Sequence, residues 1–131
     1  MTKTLFISLP VADLAASRAF YAALGFTHRP QLSDDTAACM AWSDAIQVML
    51  ITHAKWRIFT SRPLPAAGSC GHMLSLALDS REAVDAMNRA AAAHGGQADA
   101  NPPEDFEFMY SRDIADPDGH LWGTVWMARG A

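Results

Sequence analysis

The chain has 131 residues, half of them hydrophobic and 18% charged, with a net charge of −4. That length suits one domain with a core of its own, and the composition is that of a folded chain rather than a disordered one. The acidic balance excludes the basic footprint of a nucleic-acid binder and the polybasic surface that anionic membranes attract.

Residues 5–9 form a short apolar run that predicts a buried strand, ended by Pro10 because proline cannot donate to a ladder. Met1-Thr2-Lys3 leads straight into that run, so no leader peptide is expected. Asp13 is placed to cap a helix in which Leu14, Ser17, Tyr21 and Leu24 share one face, and Gly25 closes it. Strands are expected around 26–31, 36–42 and 46–52, with turns at Asp34-Asp35 and Ser43-Asp44. Residues 53–59 read as a short helix and 60–71 as a loop rich in proline, glycine and hydroxyl residues.

The pattern then repeats. Residues 73–78 read as a strand, and Ser80 caps a second helix with Glu82 in its first turn. Val84, Met87, Ala91 and His94 share a face of it, and Gly95-Gly96 ends it. A short strand and a loop over 100–105 precede strands at 106–115 and 121–127. These two are joined by the turn Asp116-Pro117-Asp118-Gly119. His120 follows that turn and is expected to be exposed.

Each half is thus strand, aspartate, capped helix and glycine, an internal duplication by shape. The expected architecture is α+β in a single domain over 1–131. It comprises two βαβββ modules, about 1–60 and about 70–131, forming a curved mixed sheet around a concave pocket with helices outside. The two cysteines, Cys39 and Cys70, do not suggest a disulfide framework, and no apolar run approaches the ~18 residues of a membrane span. A cytoplasmic protein without membrane or nucleic-acid partners is expected.

The segments LPVADLAASRAFYAALGF and DPDGHLW, with Val48-Met49-Leu50 and the run from Phe108 to Arg112, carry a resemblance over nearly the whole chain. The chain resembles the glyoxalase, bleomycin-resistance and extradiol-dioxygenase superfamily, also called vicinal oxygen chelate. Its pattern is similar to that of bacterial proteins named predicted lactoylglutathione lyase. The resemblance implies paired βαβββ modules, a homodimer, and a pocket whose divalent metal is held by His and Glu from four strands. Such a metal acts as a Lewis acid on vicinal oxygens.

The positions matching those four ligands are Phe6, then Gln47 or Met49 depending on register, then Met73, and Gly123. Phe6 and glycine offer no donor, and Gln47 and Met49 are not hard anionic ligands. His72 lies beside Met73, where strand alternation points it to the opposite face unless a bulge turns it inward. No metal site of the superfamily's kind and no cofactor are therefore expected. Gly123 either opens space where a Glu would have stood or reflects drift. Trp122 and Trp126 alternate with it and are expected to face the helices.

No zincin, nucleophile-elbow, phosphate-loop or dinucleotide motif is present. Candidate ligand contacts are Phe6, Ser8, Met49, Met73, Tyr110 and Arg112, the last two on the seventh strand. A guanidinium there could fork onto a substrate carboxylate, or form a salt bridge at the hairpin. The opposite parity, Met109, Ser111 and Asp113, is the alternative set. The favoured function is binding or sequestration of a small organic molecule in an apolar pocket, with catalytic residues unknown. The alternative is a glyoxalase-like lyase or another metal-dependent enzyme of the superfamily.

Overall fold

A computed structural model describes residues 3–129. Met1 and Thr2, read for a leader, lie outside the described residues, as do Gly130 and Ala131. The elements are β1 (Leu5–Val11), α1 (Leu14–Ala23), β2 (Thr27–His28), β3 (Ala37–Ala41), β4 (Ile46–Thr52), α2 (His53–Phe59), β5 (Met73–Ala77), α3 (Arg81–Ala93), β6 (Glu104–Phe106), β7 (Met109–Ala115) and β8 (Leu121–Met127). The strands make two four-stranded mixed sheets, in the orders β1-β4-β3-β2 and β5-β8-β7-β6. In each sheet the first and last strands of the βαβββ run pair in parallel and the others are antiparallel. The chain divides into one compact unit through Pro65 and another from Ala66.

In the first unit the Asp13 carboxylate accepts the Ala16 N–H at 3.0 Å, satisfying one of the donors a helix start leaves open. Gly25 takes φ +106°, a left-handed conformation that suits glycine after a helix. Ser17, Phe20 and Tyr21 of α1 turn inward, as does Leu24 at its C-cap. They meet the sheet face carrying Leu9, Val11, Ala38, Met40, Val48 and Leu50, all buried. Tyr21 stands edge-on to both Phe20 and Phe26, with centroids 5.1 and 5.3 Å away. The strand expected over 26–31 shrinks to Thr27–His28, because Pro30 starts a 3-10 turn over Pro30–Leu32. The Thr52 hydroxyl accepts the Lys55 N–H and starts α2 directly from β4.

In the second unit the Ser80 hydroxyl accepts the Ala83 N–H at 3.0 Å. Val84, Met87, Asn88 and Ala91 of α3 are buried with Leu76, Ile114, Trp122 and Thr124. His94 is exposed at the helix end, its Nδ1 2.9 Å from the Ala90 carbonyl oxygen. The strand expected over 106–115 is a hairpin instead: Glu104–Phe106 folds back on β7, with Asp105 opposite Tyr110. The short strand expected after Gly96 is a single bridge from Gln97 to Ala115. Between β7 and β8 the Gly119 N–H donates to the Asp116 carbonyl at 3.0 Å, with Gly119 at φ +87°. Among the described residues no helix is long and apolar enough to cross a membrane.

Candidate functional site

Each sheet has a face covered by its helix and a face turned away from it. Strand alternation and register decide which side chains stand on which. In the first unit Phe6 lies opposite Gln47 and Ser8 opposite Met49, which in turn lies opposite Cys39. These five share the face away from α1. Phe6 is 52% exposed, Ser8 is exposed and Met49 half-buried. Three of the expected ligand contacts, Phe6, Ser8 and Met49, are therefore neighbours on one face.

In the second unit Met73 lies opposite Leu121 and Ser75 opposite Gly123, with Asp113 on the other side of Gly123. Met73 is 53% exposed on this face. Tyr110 and Arg112 are not on it. Their parity turns them toward α3, where the Tyr110 hydroxyl donates to Asp85 at 2.6 Å. Arg112 forks onto Asp99, with Nε at 2.9 Å and a terminal nitrogen at 2.6 Å, and its other terminal nitrogen donates to Asp85 at 2.9 Å. All of the guanidinium's nitrogens are thus engaged within the protein, in salt bridges to Asp85 of α3 and to Asp99 rather than in the salt bridge expected at the hairpin. The face away from α3 carries the other parity, Met109, Ser111 and Asp113.

The charges in that network follow from its bonds. The hydrogen bonds from Tyr110 and then Arg112 hold Asp85 below the usual carboxylate pKa, and Arg112 does the same for Asp99. Asp85 in turn raises the pKa of the Tyr110 phenol, and Asp99 raises that of Arg112. Arg81 extends the cluster, its guanidinium 4.9 Å from the Trp126 ring and 5.1 Å from the Tyr110 ring.

The positions that resemble metal ligands do not fit a divalent ion. Phe6 has no donor atom. The Gln47 amide is engaged twice, its oxygen accepting the Cys39 thiol at 3.1 Å and its nitrogen donating to the Asp44 carbonyl at 3.2 Å. Burial also raises the Cys39 thiol pKa, against a smaller opposing pull from Arg29. Met49 and Met73 present thioethers, too soft for a site built on carboxylate and imidazole. At Gly123 an added Cβ would lie 2.6 Å from the Ser75 hydroxyl and 3.4 Å from an Asp113 carboxylate oxygen. Gly123 does not enlarge a pocket, one of the two expectations for it, because Ser75 fills the space.

A different set of donors does converge. Cys70, His72 and His120 each place one ligand atom within 4.8 Å of the others. His120, expected to be exposed, is buried at 7%. Burial and the neighbouring His120 hold the His72 imidazole below its usual pKa, with Asp116 pulling the other way. Sequence spacing hides this cluster; only the parallel β5–β8 register brings residues 72 and 120 together. A separate open cavity of about 410 Å³ lies on the α1 side of the first unit, between Leu14, Arg18, His28, Ser33 and Asp34. None of the expected contacts lines it.

The model of the Glyoxalase/Bleomycin resistance protein/Dioxygenase superfamily matches residues 4–124. The chain belongs to that superfamily. Solved structures similar to it include a hypothetical protein from S. aureus, 25% identical with a TM-score of 0.80, covering 96% of this chain and 94% of that one. A protein from Agrobacterium tumefaciens is 26% identical with a TM-score of 0.71, covering 98% and 99%. The bleomycin resistance determinant encoded on transposon Tn5 shares the fold at 21% identity and a TM-score of 0.64, covering 96% and 98%. Among curated protein sequences nothing matches.

Proposed function

We propose that this superfamily member binds a small, largely apolar organic molecule without a metal at the superfamily's ligand positions, in the manner of a resistance or sequestration protein. The carrying observation is the exposure of Phe6 at 52% and Met73 at 53%, on sheet faces that no helix of their own unit covers. Large apolar side chains left open beside small polar ones make a ligand-lining surface rather than a core. Ser8 and Ser75 supply hydroxyls for orienting a ligand. The shared fold of the bleomycin resistance determinant supports the sequestration class. A glyoxalase-like lyase needs a Lewis acid or a carboxylate base at positions that here hold Phe6, Gln47, Met49, Met73 and Gly123.

The working form is a homodimer in this reading. Exposed Ile58, Phe59, Phe106 and Phe108 give apolar surface for a second copy to cover. Light scattering on a sizing column should give twice the chain mass; a monomer at micromolar concentration removes this part of the proposal.

A thermal-shift screen of aromatic and apolar small molecules, bleomycin included, on chelator-treated protein tests the binding reading. A ligand present at about 100 times its Kd should stabilise the fold by about 2.7 kcal/mol. Glyoxalase turnover of a glutathione hemithioacetal that appears on adding Ni, Zn, Mn or Fe would establish the lyase instead.

A further inference from the structure

β5 and β8 run parallel with Met73 opposite Leu121, so the residues entering the two strands, His72 and His120, arrive side by side. Their rings stack with centroids 5.6 Å apart and planes 27° from parallel. Cys70 turns back from the preceding loop, its sulfur 3.9 Å from His72 Nδ1. In a tetrahedral shell with bonds of about 2.0–2.3 Å, neighbouring N and S donors stand about 3.3–3.7 Å apart. The three side chains are therefore close to a ligating arrangement and need only a small contraction.

The arrangement is also held in place. The His120 backbone N–H donates to the Asp116 carboxylate at 2.8 Å, and its carbonyl accepts the Asp116 N–H at 3.0 Å. The Asp-Pro-Asp-Gly turn thus fixes the backbone that carries the buried imidazole, and the buried Asp116 carboxylate adds a negative charge near the cluster. Cys70 and His72 are more open to solvent, so an ion can reach the cluster from that side.

We propose that Cys70, His72 and His120 form a binding site for a zinc-class divalent ion. The site uses none of the positions that match the superfamily's ligands. One thiolate and two imidazoles form a borderline-soft set that favours Zn(II) and its neighbours over Mg(II) or Ca(II), which take hard oxygens. Three protein donors leave a fourth coordination position for water or a ligand atom.

Cobalt(II) reports on the site because a thiolate bound to it gives a near-ultraviolet charge-transfer band. Chelator-treated full-length protein titrated with Co(II) should develop that band to saturation at one ion per chain, and Zn(II) should bleach it. Cys70→Ser should abolish the band while Cys39→Ala retains it. His72→Gln, at an exposed position, should weaken Co(II) binding at least about tenfold. Circular dichroism establishes that each variant is folded. The proposal is overturned by a folded wild type without the band, by a band that survives Cys70→Ser, or by unchanged affinity in His72→Gln.

Discussion

Arg112 and Asp113 are sequence neighbours that face opposite sides of one sheet, and their consequences differ accordingly. Arg112 holds Asp85 and Asp99 together on the α3 side. Replacing it with Lys keeps the charge but loses the planar fork. Because the partners are partly solvent-exposed, the loss should be modest, about 1 kcal/mol in urea unfolding, with ligand binding on the other face untouched. Asp85 and Asp99 both have folded pKa values below the ordinary carboxylate value of 3.8. Their contribution to stability is full above that value. It fades as pH falls below it, through the lowered pKa values of the folded state. Wild type should lose more stability than Arg112→Met between pH 5 and pH 2, as read by urea midpoints at each pH. Equal acid loss in the two proteins would remove the network from the account. On the other face Gly123→Ala forces its Cβ against Ser75 and should cost about 1 kcal/mol or more. Adding Ser75→Ala should restore much of that loss, and a double-mutant cycle measures how much.

At the scale of elements, the capping residues and the glycines that end helices are where sequence speaks most directly. Asp13 and Ser80 make the cap bonds their residue types suggest. Ser80→Ala should lower the unfolding free energy by about 1 kcal/mol, visible as a shifted urea midpoint with unchanged slope. The strand over 46–52 and the helix over 53–59 were legible because apolar and helical periods change sharply at Thr52. Residues 26–31 suggest a longer strand than forms, because Pro30 starts a 3-10 turn in place of its second half. The 106–115 run concealed a hairpin because its turn, at Glu107 and Phe108, has none of the glycine or asparagine that marks tight turns. Parity on β7 was not legible at all. It depends on how the Asp116–Gly119 turn sets register against β8, and that placed Arg112 opposite Thr124 on the helix side. A histidine just after a turn suggests exposure, yet His120 is buried, with its backbone clasped to Asp116.

At the scale of the molecule, the duplication read from two strand–helix–glycine runs appears as two sheets of identical strand order. Superfamily membership rests on the family match over residues 4–124, which spans both halves of that repeat. Its chemistry does not follow, because the positions that the resemblance matches to metal ligands hold Phe6, Gln47 or Met49, Met73 and Gly123 here. What replaces metal chemistry in this account is binding through open apolar faces. The most direct test is a Nile red titration of chelator-treated protein, an uncharged apolar probe whose fluorescence rises on binding. The account predicts a saturable signal in the wild type, at least about tenfold weaker binding in Phe6→Ala (about 1.4 kcal/mol), and unchanged binding in Arg112→Lys. No saturable binding, binding that appears only after a divalent metal is added, or a Phe6→Ala curve that overlays the wild type would contradict it.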